Sequence, residues 1–123
     1  MNKKTVKYLL YSLVVAFLCI SCNTSQYKEM QVSLPDITAK TNGTYRGEVN
    51  FKGTPINVIV DVVLNEHLIT AIDIIKHTCS PIGKRAEVII DRIIETQSFD
   101  VDVVSGATVS SKAILKAVEE ALR

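Results

Sequence analysis

The run Asp102-Val103-Val104-Ser105-Gly106-Ala107-Thr108-Val109-Ser110-Ser111 puts an acid at the head of a short apolar stretch, turns at a Ser-Gly pair, and meets a helical pattern among clustered hydroxyls. The first N–H groups of a helix have no intrahelical partner, and the helix dipole is positive there, so such a start suits an anion. Gly106 has no Cβ and takes the turn without strain, and Ala107 keeps the wall beside it low. Thr108 stands where a phosphate belongs. Its hydroxyl also suits a plain helix cap, and these ten residues leave both readings open.

Outward from this stretch, a helix is expected from about Val109 to Leu122, with Ile114, Leu115, Val118, Ala121 and Leu122 as its buried face. Just upstream, Phe99 to Val104 reads as a short strand. Before it, Ser80-Pro81 marks a helix start, Ser as N-cap and Pro at the first helical position. Ile82, Ala86, Ile89, Ile90, Ile93 and Ile94 follow at helical spacing, and the helix ends near Gln97. Three strands precede it. Thr44–Phe51 alternates apolar with polar, Ile56–Leu64 follows the Lys52-Gly53-Thr54-Pro55 turn, and Leu68–Lys76 follows Asn65-Glu66-His67. Short connections make these an antiparallel meander. The fold class is therefore α+β: a small meander of about three strands packed by two amphipathic helices, with a short extra strand before the last helix. The domain spans 43–123.

The N-terminal part differs in kind. Lys3, Lys4 and Lys7 precede an uncharged run from Tyr8 to Ile20, too short for a membrane span but right for an export signal over residues 1–21. Cys19-Ile20-Ser21-Cys22 then resembles a bacterial lipoprotein signal, with Cys22 as the lipidated first residue of the mature chain. Cys19 stands where that signal usually has leucine. An uncleaved membrane anchor and simple secretion are the other readings. Residues 22–42 are polar, interrupted by Pro35 and Asn42-Gly43, and read as a flexible tether. The chain is thus expected outside the cytoplasm, anchored to the bacterial cell membrane.

The chain has 123 residues, 14 Lys and Arg, and 13 Asp and Glu. Once the three leader lysines are set aside, acids slightly outnumber bases, so there is no basic stripe for nucleic acid. Cys79 is the one cysteine of the folded part, and a lone thiol makes no internal disulfide. His77 with Cys79 is far short of a zinc site, and no metal is expected. No catalytic triad or acid/base pair is legible.

Asp102-x-x-Ser105-Gly106-Ala107-Thr108 resembles the motif of the FMN-binding domain family, which includes flavin subunits of extracytoplasmic redox pumps and small flavin-carrying lipoproteins. Tyr45-x-Gly47, Gly83-Lys84-Arg85-Ala86-Glu87 and Ser110-Ser111-Lys112-Ala113 extend the resemblance. It implies FMN as cofactor, held through a phosphoester on Thr108. A flavin transferase that uses FAD and magnesium would make that bond. Asp102 would orient or activate the hydroxyl, and Ser105, Gly106 and Ala107 would form the turn around the phosphate. Larger members grip the flavin ring with a Thr-Pro-Gly-type loop before the first helix. Here that place reads His77 to Gly83, without a Pro-Gly pair, which makes His77 and Gly83 the candidates for ring contact. The resemblance implies an electron carrier working with a membrane redox partner. A domain of this size without a triad, acid/base pair or second cofactor motif fits a carrier better than a free-standing enzyme, which leaves enzyme status open. The alternatives are a membrane-associated binding or assembly module, and the flavin subunit of a multi-chain reductase.

Overall fold

A computed structural model describes residues 2–19 and 25–123. Lys3–Cys19 forms a helix, α1, whose side chains through Ser12 are exposed. No helix among the described residues is long and apolar enough to cross a membrane. Cys22 lies outside the described residues.

The alternation in the strand sequences has the expected outcome. β1 (Gly43–Asn50), β2 (Asn57–Asn65) and β3 (Leu68–Thr78) form an antiparallel sheet in chain order. Val58, Val60, Val62 and Leu64 of β2 all point inward and are almost fully buried. Each such side chain contributes roughly 2 kcal/mol by leaving water. The outer face carries polar residues, among them Arg46, which grips Asp61 across the β1–β2 pair with two bonds of 2.7 Å. That guanidinium holds the Asp61 carboxyl below the usual carboxylate range.

β3 departs from simple alternation. Its register against β2 shifts twice, skipping Thr70 and Ile75. Each skipped residue is a bulge, which turns the following side chains to the other face. As a result Ile69, Ile72, Ile74 and His77 face inward opposite Leu64, Val62, Val60 and Val58, while Ile75 is left exposed.

β2 and β3 are joined by Glu66-His67, both at positive φ (50° and 61°), the pattern of a type I′ hairpin turn. Neither residue is suited to that region. Glu66→Asn with His67→Gly is expected to raise stability by about 1 kcal/mol. In a urea titration the midpoint should rise with the slope unchanged.

The helix expected from Pro81 divides in two. Ser80 Oγ accepts from the Gly83 N–H at 3.2 Å, but Pro81 and Ile82 form a turn and the helix itself starts two residues later than expected, at Gly83, with Ile82 in the N-cap position. Gly83–Val88 is then a 3-10 helix and Ile89–Thr96 an α-helix, α3. The sequence explains the division: Gly83, Ala86 and Ile89 are buried at intervals of three, the 3-10 period, and Ile93 follows at four. In consequence Ile82 lies outside the buried stripe and is 55% exposed. Gln97 ends α3 in the left-handed region. Its side-chain amide brackets Ile69 of the edge strand, accepting from the N–H at 2.8 Å and donating to the carbonyl at 2.9 Å.

The last helix, α4 (Thr108–Leu122), begins within one residue of expectation. It lies across β1 and β2 and is buried on nearly every side, beyond the single face read from the sequence. The short strand expected at 99–104 is not formed: residues 100–104 enter no ladder. They are held instead by side chains, with the Arg92 guanidinium donating to the Asp102 carbonyl.

The tether reading is corrected from Tyr27 onward. A short helix, α2 (Ser25–Lys28), and the chain after it lie along the domain. Tyr27 stacks on Phe51 with ring centroids 4.1 Å apart, and its hydroxyl donates to the Lys52 carbonyl at 2.9 Å. Met30, Val32 and Leu34 pack against the core and Ile37 joins it. Lys40 sits over the Tyr45 ring and donates to the Arg123 carbonyl. The polar composition concealed an apolar residue every two or three positions, enough to bind an extended strap.

Candidate functional site

Val104 to Ala107 forms a tight turn. The Ala107 N–H donates to the Val104 carbonyl at 2.9 Å, and Gly106, at its third position, has φ 79°. That conformation favours glycine. A Cβ there would meet nothing closer than the Ile82 side chain at 3.8 Å, so space does not restrict the position but backbone strain does.

Ser111 locks this turn to α4. Its hydroxyl donates to the Ala107 carbonyl at 2.8 Å and accepts from the Val104 N–H at 3.1 Å, and the residue is fully buried. Sequence reading counted Ser111 only among the clustered hydroxyls. The position seven residues after Val104, on the inner side of the first helical turn, was the available signal. Ser111→Ala should cost about 1–3 kcal/mol by leaving the Val104 N–H without its partner. A thermal melt checks that cost, and flavin content after purification should fall with it.

Beyond the turn α4 opens without a cap. Its N-cap residue is Ala107, which has no hydroxyl, and no side chain bonds the helix start. The N–H groups of Thr108, Val109 and Ser110 have no partner in the described structure, and the first helical bond is Ser111 N–H to the Ala107 carbonyl at 2.9 Å. Three free donors at the positive end of a 15-residue helix are a ready anion site. Thr108, half-buried, stands among them, with Ser105 and Gly106 exposed alongside. The Asp102 carboxylate is exposed and makes no hydrogen bond or ion pair in the described structure.

The segment before the 3-10 helix closes on the same place. A Cβ on Gly83 would lie 2.6 Å from Ser110 Oγ and 2.9 Å from the Cys79 Cβ, so only glycine lets this loop approach the first turn of α4. Ile82 is thereby set beside Gly106. Ile82 was missed because its spacing placed it with the buried helix stripe. Cys79, free and partly buried, has its thiol pushed up by burial and by the Glu87 charge, which keeps it protonated and unreactive.

His77 goes elsewhere. The second bulge turns it inward, and its side chain is 2% exposed. Nδ1 is 2.9 Å from Glu87 Oε1, and since a carboxylate only accepts, Nδ1 is the donor. Nε2 is buried without a partner. The structure thus brings Ser105, Gly106, Ala107, Thr108, Ile82 and Gly83 together, and gives His77 a place between the sheet and the 3-10 helix.

A small α+β domain with an open, glycine-turned helix start for an anion is the class these features define. The model of the FMN-binding domain family matches residues 51–123, and the chain belongs to that family. No curated protein matches the chain. FMN is the family's cofactor, and the residues present fit it: free N–H donors for a phosphate, a turn with no side chain at Gly106, and an exposed apolar Ile82 beside it. The match begins at Phe51 and so omits β1 and the strap, which the structure joins to the same core.

Proposed function

We propose that this chain is an extracytoplasmic, membrane-anchored electron carrier whose FMN is joined to Thr108 by a phosphoester. The observation that carries the reading is the uncapped start of α4, with three unpaired N–H groups around the Thr108 hydroxyl. A flavin transferase would break the pyrophosphate of FAD and release AMP. The new bond runs from Thr108 Oγ1 to the FMN phosphorus, and the hydroxyl proton passes to a base. The Asp102 carboxylate, free in the described structure, would orient that hydroxyl. The α4 donors would then hold the phosphate, Gly106 would leave it room, and Ile82 would offer an apolar surface to the ring. Bound FMN supplies one- and two-electron redox chemistry. Lipidation of Cys22 would keep the carrier at the membrane beside its redox partner.

The test is co-expression with a flavin transferase and magnesium, followed by intact mass and in-gel flavin fluorescence after denaturation. The expected result is a mass increment of one FMN less water, with flavin that a membrane dehydrogenase reduces and an added acceptor reoxidises. A flavin-free chain would favour a binding or assembly module. Flavin that turns over only with a second, substrate-binding chain would favour a reductase subunit.

A further inference from the structure

The strap over residues 27–40 fixes where the N-terminal anchor leaves the domain. Phe51, on which Tyr27 stacks, begins the turn between β1 and β2. At that end of the sheet Asn50, Asn57 and Thr78 lie side by side. β3 leads from there into Cys79 and Gly83, and so onto the first turn of α4 and Thr108. α2 touches α4 directly. The opposite end holds Lys40, Tyr45 and the C-terminal Arg123, together with the Glu66-His67 turn. The strap therefore runs the length of the domain, and its first residue sits at the Thr108 end.

We infer that the Thr108 end of the domain is apposed to the membrane surface, with the Glu66-His67 turn pointing away. This rests on the anchor reading above. Cys22 precedes Tyr27 by five residues, a reach of at most about 17 Å even fully extended. β2, nine residues long, spans about 30 Å, so the two ends of the domain lie at distinct heights above the lipid. Charge points the same way. Lys28, Lys52, Lys76, Lys84 and Arg85 are exposed around this end and enter no ion pair among the described residues, against the free acids Glu29, Glu48 and Asp102. At the far end Lys116 and Arg123 are spent on Glu119 and Glu120, and Lys40, over the Tyr45 ring, is offset by the free Glu66. The partner this surface fits is an anionic lipid surface, and a flavin on Thr108 would exchange electrons with a carrier within or at that bilayer.

The chain has no tryptophan, so single insertions report position without background. The full lipidated chain carrying Pro55→Trp, or Thr44→Trp near the far end, is reconstituted in phosphatidylethanolamine–phosphatidylglycerol vesicles with a dansyl-headgroup lipid. Energy transfer is read against the same protein on vesicles without dansyl, which removes quenching by flavin. The expected result is several-fold greater transfer from Pro55→Trp, with the ratio falling toward one when Tyr27→Ala releases the strap. Equal or reversed transfer in the parent chain overturns the inference, as does a ratio unmoved by Tyr27→Ala. Intact mass reports the anchor separately: a chain without acyl mass on Cys22 overturns the anchor reading and this orientation with it.

Discussion

If FMN is joined to Thr108 as proposed, Thr108→Ala is expected to abolish the covalent flavin increment while leaving the fold intact. The fold should survive because Thr108 is the first helical residue, not the cap, and its hydroxyl makes no hydrogen bond in the described structure. The stability change should stay within about 0.5 kcal/mol. Attachment, by contrast, needs an oxygen to bond phosphorus, and alanine has none. Thr108→Ser keeps that oxygen and should restore labelling. The pair separates chemistry from shape: a shape effect would spare neither variant, and a nearby hydroxyl acting as the true acceptor would leave the alanine variant labelled. Ser105 and Ser110 are the competitors. Ser105 lies on the exposed turn, whereas Ser110 is buried against Gly83. Intact mass on wild type and both variants, beside matched thermal melts, decides the matter.

The second large effect is on stability. A Cβ on Gly47 of β1 would lie 1.9 Å from the Ala117 carbonyl oxygen and 2.7 Å from the Ala121 N–H nitrogen. Both are backbone atoms of α4, so no side chain can swing aside; the helix must lift from the sheet or β1 must bend. Gly47→Ala is expected to cost about 3 kcal/mol, near the upper end for overpacking. For a domain of this size that lowers Tm by roughly 15 °C. Thr44→Ala, three residues earlier on the exposed face, should move stability by less than about 0.5 kcal/mol. Because α4 also carries the proposed flavin site, Gly47→Ala should lower flavin loading even where the protein still folds.

Strands, helices and the glycine turn before α4 were legible because each rests on local chemistry. Alternation gave the three strands, Ser80-Pro81 announced a helix that in fact begins two residues later at Gly83, and Ser105-Gly106 gave the turn. What stayed hidden depended on pairing across the chain. His77 looked like a loop residue because its burial follows from the bulge at Ile75, and a bulge is a property of two strands together. Ile82 looked buried because a 3.6-residue period was applied to a segment packed at three. Ser111 could not be distinguished from Ser105 or Ser110 until Val104 was seen to donate to it. The strap at 27–40 read as a linker because its apolar residues are sparse and follow no strand or helix period. Its structure is borrowed from the surface it lies on.

The strap also gives the molecule a mechanical property. A pull on the chain ahead of Tyr27 first loads the Tyr27–Phe51 stack, at one end of the strap, and then its contacts one by one toward Ile37. Peeling of this kind breaks few contacts at a time, whereas tearing β1 from β2 would load a whole ladder at once. Under tension the strap should come away before the sheet yields, releasing about 45 Å of chain at 3.3 Å per residue. The domain would then ride on a longer lead with its core and the Ser105–Gly106 turn undisturbed, and the strap would reseat when the load is gone.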